Sequence, residues 1–353
     1  MRQRLIRNAY EAAVTMTAVL LSWAAALWLE GAAGLHTDSV VLAVALTVTL
    51  ARGRWWADRR GRLTALVLLP LAAAVCAGLS RLLAVHYGIG AALFTTGLAL
   101  AIWIRRYGPA ATRAGTLITL PLIALLVVPG PTLPADARPG AVNWGWSALI
   151  GLLAWVSVLL VRTSAARFTP GPGDPEGFEH PEPPKPRRAT TPRPRPSTRM
   201  AVQLAAAIAA AFVLGRLLYA DHWPWLVLTA YVVASGNRGR NDVLRKGVRR
   251  FLGACAGTLL ATGVAACGLG GHPAVAALFG VLAMALWLRP LDHAYWAAGM
   301  TTALALLLGY FGQNATDQLP ARLSAIAAGA VLSVASAWWL LPVRRGRPGL
   351  TRS

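Results

Sequence analysis

Apolar stretches of spanning length recur along nearly the whole chain, broken by short polar and basic segments; 9–29, 63–85, 200–220, 251–268 and 323–341 are examples. Crossing a bilayer as a helix takes roughly 20 mostly apolar residues. These stretches are apolar on every side and push their charges to the ends, whereas a helix of a soluble bundle keeps one polar face. The pattern predicts an all-α integral membrane fold of about twelve transmembrane helices and excludes a soluble bundle. After the first helix, the first half reads as helices over about 39–51, 63–85, 89–104, 114–129 and 144–161. Helices 2 and 8 are short, roughly 13–15 residues or about 20 Å. They must thin the bilayer, extend through their flanks or sit inside the bundle.

The pattern occurs twice. Arg7-Asn-Ala-Tyr-Glu11 lies over Arg199-Met-Ala-Val-Gln203, Ala91-Ala-Leu-Phe94 over Ala276-Ala-Leu-Phe279, and Ile102-Trp-Ile-Arg105 over Leu286-Trp-Leu-Arg289, while Gly115 corresponds to Gly299. Six spans per copy is an even number, so the copies run in the same direction, as two tandem parallel six-helix repeats with their pseudo-twofold along the membrane normal. The expected organisation is a first membrane unit over 1–162, a linker over 163–198, a second membrane unit over 199–345 and a basic tail over 346–353. The linker is a different polymer: ten prolines fall within 168–199, with acidic residues first and basic ones after. It cannot bury a core and is expected to be an extended cytoplasmic spacer.

A net charge of +21 invites a nucleic-acid reading, but the positions of the charges exclude it. All but four of the 34 Lys and Arg fall in the termini and alternate loops, the exceptions being Arg81, Arg138, Arg216 and Arg322. That asymmetry orients helices by the positive-inside rule and places both termini and the linker in the cytoplasm, with the plasma membrane as the location and anionic lipid heads as contacts. The basic N-terminus followed by an apolar run resembles a secretory signal, but the run is longer than the usual 7–15 residues of a signal core and reads as a retained first span. Trp144, Trp146, Trp223 and Trp225 start helices on the outer side, and Trp103, Trp287, Trp296, Trp338 and Trp339 lie at inner ends. This is where indoles anchor to headgroups.

Candidate chemistry is sparse. Three cysteines (Cys76, Cys255, Cys267) all lie in apolar segments, without metal-ligand spacing. With no Walker lysine loop, no Gly-x-Ser-x-Gly and no His-Glu-x-x-His, neither a cofactor nor a metal is expected, and the chain does not read as an enzyme. Gly253 and Gly257 form a Gly-x-x-x-Gly step that suits close helix packing in lipid, and Arg250, before it, is expected to anchor its helix at the inner headgroups. His36 and His222 lie 186 residues apart, as do His86 and His272. These four histidines, with Glu11 and Asp221, are the candidates for proton coupling, since histidine titrates near neutral pH; retained interfacial residues are the other reading. Glu11 has Arg7 one turn before it as an expected partner. Ionisable residues within spans are default functional candidates, so Arg81, Arg216 and Arg322, with Trp223 and Trp225, mark the expected substrate path. Arg216 has Asp221 about one turn on. Arg322 has only Asp317 upstream and is the freer cation.

The second half carries Trp223-Pro-Trp-Leu-Val-Leu-Thr-Ala230, a basic loop into Arg250-x-x-Gly253-x-x-x-Gly257, the 295–310 span, and Arg322-Leu-x-x-x-x-x-Gly329. In these motifs it resembles the fusaric acid resistance type family of membrane proteins, which includes aromatic carboxylic acid exporters. The resemblance covers 200–345 well and 1–162 as a degenerate copy, and the Pro-rich linker stands where many members carry a large cytoplasmic domain. It implies a proton-driven secondary exporter of small organic anions, aromatic carboxylates among them. A passive organic-anion channel and a non-transporting membrane scaffold or enzyme stay open as alternatives. The expected partners are the lipid bilayer, the anion and further copies in a homo-oligomer.

Overall fold

The computed structural model describes residues 2–33, 38–51, 55–56, 58–127, 142–168, 196–219, 222–235, 240–268, 271–310 and 315–340. Among these there are twelve α-helices, one 3-10 turn and no strand. The chain forms two compact units, Met1–Thr198 and Arg199–Ser353. Most of the Pro-rich segment, 169–195, lies outside the described residues, as do His36 and Asp221.

The first unit holds α1 (Arg2–Ala33), α2 (Asp38–Leu50), α3 (Arg59–Val85), α4 (Tyr87–Trp103), the 3-10 turn Ile104–Tyr107, α5 (Pro109–Val127) and α6 (Val142–Phe168). The second holds α7 (Pro196–Leu218), α8 (Trp223–Ala234), α9 (Arg240–Ala266), α10 (His272–Leu288), α11 (His293–Tyr310) and α12 (Ala315–Trp339). Helices overrun the apolar windows at their polar ends, because the basic flanks are themselves good helix formers: α1 begins at Arg2 rather than near residue 9, and α6 runs on to Phe168. Seven helices are long and apolar enough to cross a membrane, and α2, α8 and α10 are shorter apolar helices. The chain is a multi-pass helical membrane protein.

Side-chain sizes sort by face. Leucine and valine crowd the outside, as at Val67, Leu71 and Val75 on α3 and Leu252, Leu259 and Leu260 on α9, all more than half exposed. The helix contacts hold small and hydroxylated residues, such as Ser22, Thr47, Ser157, Thr302 and Ser333. Lipid is as apolar as leucine, so helices in it associate through close backbone approach and interhelical hydrogen bonds rather than by hiding large side chains. The short helices take the interior positions. Val40, Ala43, Leu46, Thr47 and Leu50 of α2 are buried, as are Leu226–Ala230, Val233 and Ala234 of α8. Of the ways a short helix can be accommodated, both adopt the third, inside their own units.

Corresponding helices pack in corresponding pairs. α6 lies on α2 and α3 as α12 lies on α8 and α9; α3 meets α5 as α9 meets α11; α4 meets α5 as α10 meets α11. A Cβ on Gly115 would collide with the Ala101 carbonyl, and one on Gly299 with the Ala285 methyl. These are the same approach in each unit. Gly253 and Gly257 are where α9 touches α11: a Cβ on the first would stand 2.6 Å from the Ala294 carbonyl oxygen, and one on the second would strike the Ala298 carbonyl. Thr302 ties the same crossing by donating to the Gly257 carbonyl at 2.9 Å.

Candidate functional site

α12 crosses α8 closely because Gly329 has no side chain; a Cβ there would sit 2.5 Å from the Leu226 carbonyl oxygen. One turn further along, the Ser333 hydroxyl donates to the Ala230 carbonyl at 2.9 Å. Two turns before Gly329, on the same face of α12, stands Arg322. Its side chain is 2% exposed, and its guanidinium carbon lies 3.9 Å from the ring centroid of Trp225, in the first turn of α8. None of its three guanidinium nitrogens has a hydrogen-bond partner among the described residues. Thr229, one turn below Trp225 on α8, is fully buried with its hydroxyl also unpartnered.

A second buried cation belongs to this neighbourhood. Arg250 on α9 is 4% exposed with its Nε unpartnered, and α9 packs against α12, the helix that carries Arg322. This corrects the expectation of a headgroup anchor. Gly247, Arg250, Gly253 and Gly257 share one face of α9 at spacings of three and four, so Arg250 follows the small residues into the packed interior. Its neighbour Arg249 is partly exposed and pairs with Asp292 at 3.0 Å. Asp292 also caps α11, accepting from the Ala294 N–H at 2.9 Å, and Asp242 pairs with Lys246 at 2.8 Å. The second unit has four acids, Asp221, Asp242, Asp292 and Asp317. Both whose side chains are described are thus engaged with cations other than Arg322 and Arg250.

Magnitudes decide what this means. Removing an ion from water into a protein interior costs several kcal/mol even after relaxation, and a desolvated cation–π contact returns about 2 kcal/mol. An indole alone does not balance a buried guanidinium. Such a group ordinarily finds a paired anion, and the planar fork suits a carboxylate.

The remaining candidates have other surroundings, each within its own unit. Trp223 packs on Phe212, ring centroids 5.4 Å apart, and fills the space above Gly215. Arg81 and Arg216 are exposed on their helices, so the proposed pairing of Arg216 with Asp221 falls outside the described residues. His86 sits at the junction of α3 and α4, His222 precedes α8 and His272 opens α10; within the second unit no hydrogen bond or ion pair joins His222 to His272 among the described residues. Described His, Cys, Asp and Glu residues form no group able to hold a metal. Glu11 pairs with Arg162 at 2.6 Å rather than with Arg7. Arg162 in turn donates to the Ala51 carbonyl at 2.9 Å, so it joins the ends of α1, α2 and α6. Gln203, aligned with Glu11 in the second unit, donates to the Leu340 carbonyl at 2.6 Å. The two aligned residues each tie the first helix of a unit to the end of its last.

Residues 205–336, which include Trp225, Arg250 and Arg322, match the family model described as fusaric acid resistance protein-like. No curated protein and no solved structure matches the chain. The matched residues lie within the second unit and make up less than half of the chain; over them the chain is similar to the fusaric acid resistance protein-like family.

Proposed function

We propose that the protein is a secondary transporter that exports small organic anions, aromatic carboxylates in particular, across the plasma membrane at the expense of the proton gradient. The observation that carries this reading is Arg322: a buried guanidinium, unpartnered among the described residues, lying face-on to an indole. A flat aromatic acid complements both halves of that pair, its carboxylate on the fork and its ring near the Trp225 edge or face. The similar packing within each of the two units supports twelve spans as two six-helix copies, and the basic alternate loops support cytoplasmic termini.

The test is efflux of benzoate from cells, or its movement in proteoliposomes holding the whole chain, with and without an imposed proton gradient. The proposal expects movement against the benzoate gradient that a protonophore abolishes. Downhill movement that survives the protonophore, with no uphill movement in its absence, describes a passive channel instead. No movement under either condition removes the transport reading.

A further inference from the structure

Resting on the reading of Arg322 as an anion site, we infer that Arg250 is the second cation of the same site and that together they select a dianion over a monoanion. Both side chains are more than nine-tenths buried, on helices that pack against each other in one unit. Each has guanidinium nitrogen without a partner among the described residues. Two like charges held in an apolar interior repel each other and each lacks hydration, so the pair is unfavourable until two negative charges arrive. A monocarboxylate leaves one cation uncompensated. A dicarboxylate compensates both.

The geometry also gives the pair a direction. α9 and α12 run antiparallel where Gly247 faces Ala330 and Val334. From that level, midway between Ala330 and Val334, Arg250 is about one turn along α9 and Arg322 nearly three turns back along α12. At 1.5 Å per residue the two Cα positions are separated along the bundle by about two turns, or about 10 Å. Arg250 is therefore the step nearer the charged first half of α9, with Lys246 and Arg249, and Arg322 the step nearer the start of α8. A ligand with two carboxylates spans the steps, with the flat body beside Trp225. Thr229, whose hydroxyl is unpartnered, lies on the same face of α8 one turn from Trp225.

Phthalate and benzoate share a ring and differ by one carboxylate, and calorimetric titration of the purified full chain in lipid nanodiscs compares them directly. The unmodified protein should bind phthalate about ten- to a hundredfold more tightly than benzoate, the range of one charge-assisted hydrogen-bonded contact. Arg250→Gln should weaken phthalate about ten- to a hundredfold and so remove most of that preference, while benzoate, still held by Arg322 and Trp225, should lose less than phthalate does. Arg250→Lys, which keeps the charge but not the fork, should retain part of it. Retained benzoate binding shows that the variant is folded. Equal affinities for the two acids in the unmodified protein, or an unchanged ratio in Arg250→Gln, overturn the inference. Arg322→Gln separates this from the parent reading: it should weaken both acids, and if it weakens neither, the anion site itself is wrong.

Discussion

Arg106, Arg162 and Arg240 also lie near indoles, yet each has a polar partner besides. Arg106 donates to the Tyr107 hydroxyl, Arg162 pairs with Glu11 beside Trp56, and Arg240 donates to the carbonyl of Trp338 at 2.9 Å. These are helix-end contacts of cations at an interface. Arg322 differs in being buried and unpartnered among the described residues, which makes Trp225 its main described neighbour of opposite character. Trp225→Leu should therefore cut affinity for benzoate about two- to tenfold and leave that for a straight-chain carboxylate almost unchanged. Competition of unlabelled acids against benzoate measures this, and an equal loss for both acids would show that the indole only fills space. Arg322 was legible in the sequence because a lone cation early in an apolar span has few acids within reach. Arg250 was not, because it sits beside Arg249 at the end of a basic run, and adjacent arginines on a helix point about 100° apart. The usable signal was its spacing of three from Gly247 and from Gly253, which places it on the small-residue face. The Arg7–Glu11 pairing failed for a related reason: spacing along one helix ranks local partners but does not see Arg162, which arrives from α6.

At the scale of elements, the glycine steps were readable and the caps were not. Gly257 meets the Ala298 carbonyl of α11 with no room for a methyl, so Gly257→Ala should force α9 from α11 and cost about 1–3 kcal/mol. A thermal-shift assay in detergent should show the fall, and an unchanged midpoint would mean that the crossing adjusts freely. The start of α3 is fixed by Asp58, whose carboxylate accepts from the Gly61 N–H and pairs with Arg113, each at 2.5 Å. The Arg113 hydrogen bond first, and the Gly61 N–H second, hold its carboxyl below the usual range. A depressed folded value stabilises the fold above the unfolded pKa near 3.8 and loses that contribution as pH falls through the lowered one. Asp58→Asn keeps a cap but cannot ionise, so it should flatten the stability profile below about pH 4, as read by melting midpoints against pH. A parallel slope in both proteins would remove Asp58 from the acid response. Sequence pattern shows where a helix ends to within a few residues, but the partner from α5 that fixes this end belongs to tertiary structure.

For the whole molecule, a likeness between the two units was visible in Gly115 and Gly299, which meet Ala101 and Ala285 at the same offset in each unit, and in Glu11 and Gln203, which make similar ties with different chemistry. The two units differ in buried charge as well. Among the described residues Arg250 and Arg322 are buried in the second unit, Arg322 with no hydrogen-bond partner, whereas Arg81 in the first is exposed; the family match also falls in the second unit. Cysteines introduced into the 130–143 and 312–320 segments should react with an impermeant maleimide added outside, and one at position 185 should not. External labelling at 185 would overturn the assigned orientation. That Arg322 receives the carboxylate of the transported anion is tested most directly by the half-saturating benzoate concentration in proteoliposomes. Losing one charge-assisted contact should raise that concentration about 10–100-fold in Arg322→Gln, with normal abundance in the membrane, and Arg322→Lys should recover part of the loss. A half-saturating concentration unchanged in Arg322→Gln would contradict it.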